Sequence, residues 1–208
     1  KNKLDISLGI IPTGSGNGLV KSIFYERCRE EYTRLDCYEL IKEYSIKKID
    51  TINVSSRSGY LTSFLAISWG IVSDLDINTE FMRCIGNMRF NIGAIWNILR
   101  KKAYVGSLTY REESGQFRKI TGRFLHLWAG NSTYASSTTK SSPKSLMTDG
   151  YMYISYILDD VNRIELAKIM LGLEDGSFIE HEKVHYIKTT GFQLEIINGM
   201  IVIDGEKT

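Results

Sequence analysis

No charge of one sign dominates this chain: 26 Lys and Arg stand against 24 Asp and Glu over 208 residues, a formal net charge of +2. That balance excludes the broad basic field of a nucleic-acid binder, so any charge used for binding must be local. Cysteine is scarce and odd in number. Cys28, Cys37 and Cys84 show no C-x-x-C spacing, which argues against a disulfide framework and for a reducing, cytoplasmic compartment. All three are expected as small buried hydrophobes. No apolar run reaches the roughly 20 residues of a membrane helix, and no secretory signal opens the chain, so a soluble or peripheral protein is expected. An initiating methionine is absent too: the chain begins at Lys1 on the approach to an apolar run, as expected of an excised fragment or one part of a larger enzyme. The Asn53-Val-Ser and Asn131-Ser-Thr triplets match the glycosylation pattern, but without a secretory signal they carry no weight.

What is present suffices for a core: 43% of the residues are hydrophobic, which suits one large domain or two small ones. Ile6 to Ile11 reads as a strand, "PTGSGNG" as a glycine turn, and Leu19 to Phe24 as the start of a helix. Cys37, Leu40, Ile41 and Tyr44 recur at helical spacing, so a second amphipathic helix is expected from about Thr33 to Tyr44. From Lys47 the texture changes to short β-rich runs separated by turn signals, which points to a sandwich or barrel-like sheet. Asn198-Gly199 between two such runs is the strongest short hairpin signal. Two helices interrupt, one from Asn78 to about Lys101 with breaks near Gly86 and Gly93, and one from Val161 to Leu173 with apolar Ile164, Leu166, Ala167, Met170 and Leu171.

Five stretches carry candidate chemistry. Gly14, Gly16 and Gly18 let a backbone approach closely at a helix N-terminus, where amides receive phosphate oxygens; an ordinary tight turn is the alternative. "HEKVH" from His181 to His185 matches a zinc pattern. Val184, Tyr186 and Ile187 favour a strand there, however, and would hold the two histidines about 13 Å apart. Asp74 and Asp76, read as strand residues, would share one face and suit a divalent metal or a cationic headgroup, or else form a solvated strand end. Arg83 and Arg89 could clamp a polyphosphate if Gly86 breaks the helix, or be ordinary surface arginines. "FNIGAIWNILRKK" is either a helix packing on the core or a lid that touches a membrane, its basic end near anionic headgroups.

Taken in order, "GIIPTGSGNGL", "SWGIVSDLDINTEFMRCIGNMRFNIGAIW" running into "AYVGSLTY", "DGYMYISYI" and "VIDGE" resemble the sphingosine kinase family, within the diacylglycerol kinase superfamily of lipid kinases. The middle block is specific to sphingosine kinases; the first and last motifs are shared more widely. The resemblance implies an α+β fold: the remnant of an α/β nucleotide-binding domain at residues 1–49, then an antiparallel β-sandwich domain at 50–208 that holds the lipid. It implies ATP with Mg²⁺. Gly14, Ser15 and Gly16 would meet the nucleotide phosphates, with Asn17 shaping the turn. Arg83 and Arg89 would bind phosphate, and Asp204, Gly205 and Glu206 would return to the nucleotide. Asp76 would recognise the sphingoid headgroup, leaving Asp74 a structural part.

The family's catalytic aspartate stands in a Gly-rich Asp-Gly motif before the glycine turn. Only thirteen residues precede Gly14 and none forms that motif. Because transfer needs a base on the attacking hydroxyl, these 208 residues are expected to bind parts of both substrates and to transfer phosphate poorly or not at all. The implied partners are a sphingoid lipid and, reversibly, a membrane surface reached from the cytoplasm, with no nucleic acid. The alternatives are a diacylglycerol or ceramide kinase, and a non-catalytic lipid-binding or regulatory module.

Overall fold

The computed structural model describes residues 7–14, 16–56, 59–78 and 88–207. Two helices come first, α1 (Gly18–Tyr25) after the glycine turn and α2 (Arg34–Lys42). α2 starts at a capping box: the Thr33 hydroxyl accepts from the Asp36 amide, and the Asp36 carboxylate accepts from the Thr33 amide. Hydrogen bonds from the Thr33 hydroxyl and amide, with Arg29 at 2.7 Å, hold the Asp36 carboxyl down at about 2. Val20, Phe24 and Cys37 form a small core between the two helices. Cys28, expected to be buried, is exposed in the turn after α1, at a φ of +58°; Cys84 lies outside the described residues. The amphipathic stripe of α2 also ends early. The helix stops at Lys42 and Tyr44 turns left-handed, so Tyr44 leaves the stripe and is exposed.

β1 (Ile52–Ser56) and β2 (Gly59–Ser63) pair as a separate antiparallel ribbon. β3 (Ala66–Gly70) leads directly into α3 (Ile71–Asn78), which packs on α4 (Met88–Arg100). There follow β4 (Tyr104–Arg111), β5 (Phe117–Gly130), β6 (Met152–Leu158), α5 (Arg163–Leu171), a 3₁₀ turn (Ser177–Glu180), β7 (Val184–Thr189), β8 (Phe192–Ile196), β9 (Ile201–Ile203) and β10 (Glu206–Lys207). Strands β3 to β10 join in one antiparallel sheet ordered β10-β9-β3-β5-β4-β8, with β6 added to β5 and β7 to β6. The expected combination of helices with an antiparallel sandwich is what the chain forms.

β5 organises the sheet. Its first half pairs with β4 and its second half lies between β3 and β6, the two halves separated by a bulge between Phe124 and His126. Across the bulge Phe124 and Leu127 share the inner face with Trp69 and Tyr156, while His126 and Trp128 turn to the other face. Trp69 contacts Phe124 at 5.3 Å and Tyr104 at 6.0 Å, and Phe124 contacts Tyr156 at 5.8 Å, all in tilted or edge-on geometry. These rings are buried, each worth about 1.5–3 kcal/mol of burial.

The structure corrects further expectations, beginning with the strand read at Ile6 to Ile11, which residues 7–11 do not form. Asn198-Gly199 is not a hairpin: β8 pairs with β4, whereas β9 pairs with β3 and β10. Here the chain crosses between strands, Asn198 Oδ1 accepting from the Val105 amide at 2.6 Å and the Asn198 carbonyl from Trp69 Nε1 at 3.1 Å. Gly199 is required by a φ of +90° and by the Tyr104 and Trp69 rings, which a Cβ would approach to 2.6 and 2.8 Å. The tight hairpin lies at Asp204-Gly205, both at positive φ, joining β9 to β10. Asp74 and Asp76 stand on a helix, where residues two apart are about 200° apart around the axis, so they do not share a face. Gly93 does not break α4, which runs through it with Gly93 buried; the position of the break expected near Gly86 lies outside the described residues. α5 begins at an Asn162–Glu165 capping box and buries Leu166 and Ile169, leaving Ile164 and Leu171 exposed.

Candidate functional site

The glycine turn is built on the sandwich rather than beside it. Asn17 takes a left-handed φ of +54°, and its side-chain amide donates to the Gly14 carbonyl at 2.6 Å, closing the turn ahead of α1. The Ser137 amide donates to the Gly16 carbonyl at 2.6 Å, and Asn17 bridges to Ser136. Any side chain at Gly18 would run into the Ala135 carbonyl. One turn on, the Ser22 hydroxyl donates to the Gly18 carbonyl and accepts from the Tyr134 amide, each at 2.9 Å. Ser15 lies outside the described residues. Beside the turn opens a cleft of about 470 Å³, lined among others by Gly14, Asn17, Lys21, Tyr32, Arg34 and Ser137. Lys21 and Ser137 carried no sequence signal of their own, because a lysine on an amphipathic helix and a Ser/Thr-rich loop are ordinary surface features.

The Asp204-Gly205-Glu206 turn is fixed from the other side. The Asp204 carboxylate accepts four bonds, from the Ser63 hydroxyl (2.7 Å) and the amides of Phe64 (2.8 Å), Leu65 (3.0 Å) and Ala66 (2.9 Å). Its oxygens are therefore committed to the β2–β3 loop, while Glu206 is exposed. The Ser132 hydroxyl lies 3.4 Å from the Leu65 carbonyl and 3.5 Å from that of Tyr134, the residue whose amide meets Ser22. A run of contacts, the two at Ser132 long for hydrogen bonds, thus joins the Asp-Gly-Glu turn to the base of α1.

α3 packs against β3 and β5 as well as α4. Asp74 is buried; the Tyr104 hydroxyl donates to it at 2.5 Å, and Lys102 lies 3.4 Å from the same oxygen. Burial first, then the Asp74 carboxylate, drives the Tyr104 hydroxyl far above the usual phenol range. Asp76 stands in α3 and Arg89 in α4; Arg83 lies outside the described residues. On α4, Ile95, Trp96 and Leu99 are each about 60% exposed, ahead of Arg100. No helix among the described residues is long and apolar enough to cross a membrane.

A second cavity, of about 1490 Å³, opens between the β1–β2 ribbon and the inner faces of β6, β8 and β9. It exceeds the about 300–1,000 Å³ of ordinary ligand sites, and no described residue of α3 or α4 lines it. The zinc motif does not assemble: His181 follows the 3₁₀ turn, and His185 lies in β7, stacked on Tyr156 at 4.5 Å. Among the described residues no group of three His, Cys, Asp or Glu could hold a metal.

Residues 66–208 match the family described as the YegS C-terminal NAD kinase beta sandwich-like domain. The chain belongs to this family. It is similar to sphingosine kinase 1 of Arabidopsis thaliana, 24% identical over 94% of this chain and 47% of that protein, and to human sphingosine kinase 1, 24% identical over 94% of this chain and 62% of that protein. In fold it resembles a structure described as a candidate diacylglycerol kinase of Bacillus anthracis, with a TM-score of 0.65 at 17% identity, covering 98% of this chain and 64% of that one. The resemblance read from the motifs, to sphingosine kinases within the diacylglycerol kinase superfamily, is borne out. The chain spans about half the length of the plant relatives it matches.

Proposed function

We propose that these residues form the lipid-binding and part of the nucleotide-binding machinery of an ATP-dependent kinase that phosphorylates the primary hydroxyl of a sphingoid base. The observation that carries this reading is the linkage between the two turns: Ser137 and Ser136 seat the glycine turn, and Ser132 connects it to the loop gripped by Asp204. Two motifs 190 residues apart thereby serve one neighbourhood. Gly14, Ser15, Gly16 and Asn17 receive nucleotide phosphates at the N-terminus of α1. Arg83 and Arg89 offset charge on the transferring group, and Gly205 and Glu206 return to the nucleotide. Asp204 holds that return in place, since its own oxygens are taken. Asp76 orients the cationic amino alcohol. Mg²⁺ arrives with ATP, since this ion commonly binds through substrate phosphates. Ile95, Trp96 and Leu99, backed by Arg100, rest on the bilayer from which the lipid is drawn.

The test is phosphate transfer from ATP to sphingosine, ceramide and diacylglycerol, measured for the 208 residues and for the protein at its natural length. Transfer by the longer chain, with sphingosine preferred and that preference lost in Asp76→Asn, supports the reading. Transfer to none of the three lipids overturns it, and an unchanged preference in Asp76→Asn removes the headgroup role.

A further inference from the structure

The face of the sheet beneath α3 carries polar groups that find no hydrogen-bond partner among the described residues. Ser68, Trp128 and Ser155 are register partners across β3, β5 and β6, so their side chains emerge on one face. His126, two residues before Trp128, shares it opposite Gly70, the residue that leads into α3. The Ser68 hydroxyl meets the Ser73 hydroxyl of α3 at 3.1 Å, which identifies this as the face that α3 covers.

His126 is 2% exposed and Ser155 1% exposed. Both ring nitrogens of His126, Nε1 of Trp128 and the Ser155 hydroxyl are buried without a hydrogen-bond partner among the described residues. Buried polar atoms are normally paired, because desolvating them without compensation costs free energy. Four in one stripe, beneath the helix that carries Asp76, mark a place where something else supplies the bonds.

The chemistry of the stripe narrows what that is. Burial holds the His126 imidazole down at about 4, so at neutral pH it is uncharged, with one donor and one acceptor. Trp128 adds a donor and Ser155 a hydroxyl that does both. None of His126, Trp128 and Ser155 carries a charge to attract an ammonium or a phosphate. A neutral group that both donates and accepts, carried on an otherwise apolar molecule, fits.

We propose that His126, Trp128 and Ser155 form a specificity site that hydrogen-bonds a hydroxyl on the backbone of the lipid substrate. The inference rests on the sphingoid kinase reading and deepens it: the headgroup amine goes to Asp76, and a further hydroxyl along the chain goes to this stripe. A site built to bond a hydroxyl discriminates strongly against the analogue that lacks it, because its own polar groups are then left bare.

The test compares 2-aminooctadecane-1,3-diol with its 4-hydroxylated counterpart, using the protein at its natural length. The expected result is a kcat/KM ratio that favours the 4-hydroxylated base and falls about tenfold in His126→Leu and again in Ser155→Ala, two variants that change different bonds. A ratio that stays unchanged in both variants overturns the proposal and leaves the stripe to internal water. If the wild type phosphorylates neither base, the kinase reading falls. The stripe is then judged by ligand-induced shifts in Tm of the 208-residue chain. A larger shift with the 4-hydroxylated base that disappears in Ser155→Ala upholds it, and equal shifts with both bases overturn it.

Discussion

The Tyr104 hydroxyl donates to the Asp74 carboxylate at 2.5 Å, tying the first residue of β4 to the first turn of α3. Both groups are buried, so the bond operates with little competition from water. Tyr104→Phe keeps the ring on Trp69 and removes only the hydroxyl, leaving Asp74 with Lys102 at 3.4 Å. The expected loss is about 2 kcal/mol, typical of a hydrogen bond to a charged acceptor, measured by urea unfolding.

Gly199 and Gly205 both have positive φ, but only one is crowded. A Cβ at Gly199 meets the Tyr104 and Trp69 rings, whereas one at Gly205 meets nothing within 4 Å. Gly205→Ala is expected to cost about 1 kcal/mol, for backbone strain alone. Gly199→Ala adds overpacking and should cost about 2–4 kcal/mol in the same assay. Equal effects would show that the rings yield freely.

Stability should fall with acid in a defined window. The His126 imidazole is pushed down to about 4 by burial, so between that value and about 6.5 the unfolded chain binds the extra proton and the folded one does not. The His126 contribution is therefore complete above about pH 6.5 and is lost progressively toward pH 4, amounting at most to about 3 kcal/mol. Urea midpoints at pH 7.5, 6, 5 and 4 check this. His126→Leu should flatten that part of the profile.

Asp204 and Glu206 should separate structure from binding. Asp204→Asn trades a carboxylate that accepts four bonds for a group with one acceptor oxygen. It should lower stability by about 2–3 kcal/mol. Glu206→Gln, at an exposed position in β10, should leave the unfolding midpoint nearly unchanged. If the turn meets the nucleotide, Glu206→Gln should raise KM for ATP in the protein at its natural length.

The strands were legible where their signal was local. The runs from Gly106, Lys119 and Tyr151, rich in β-branched and aromatic residues, announce β4, β5 and β6, although β4 and β5 each begin two residues earlier, at Tyr104 and Phe117. Partnership was not local. Asn198-Gly199 has the composition of a hairpin turn, but its flanking strands pair with β4 and β3, and the glycine answers to two rings more than ninety residues away. Asp74 and Asp76 were misplaced because "IVSDLDIN" suits a strand as well as a short helix, and only the position after Gly70 over the sheet decides. At the candidate site, Gly14, Gly16 and Gly18 could be read from spacing, while Asn17 came only with the family resemblance. Ser136 and Ser137 could not, because they act through backbone contacts that any residue type could make.

The bulge in β5 settles the parity of the strand. Along an uninterrupted strand, alternation would turn Phe124, His126 and Trp128 to the same side. One extra residue resets the count, sending Phe124 and Leu127 inward while His126 and Trp128 emerge beneath α3. Removing Leu125 would leave these pairs as they are, whereas pairing Leu125 regularly, with no bulge to absorb it, would exchange imidazole and indole for leucine under the helix. The chemical character of an entire sheet face in this protein is thus set by the odd or even position of a single residue.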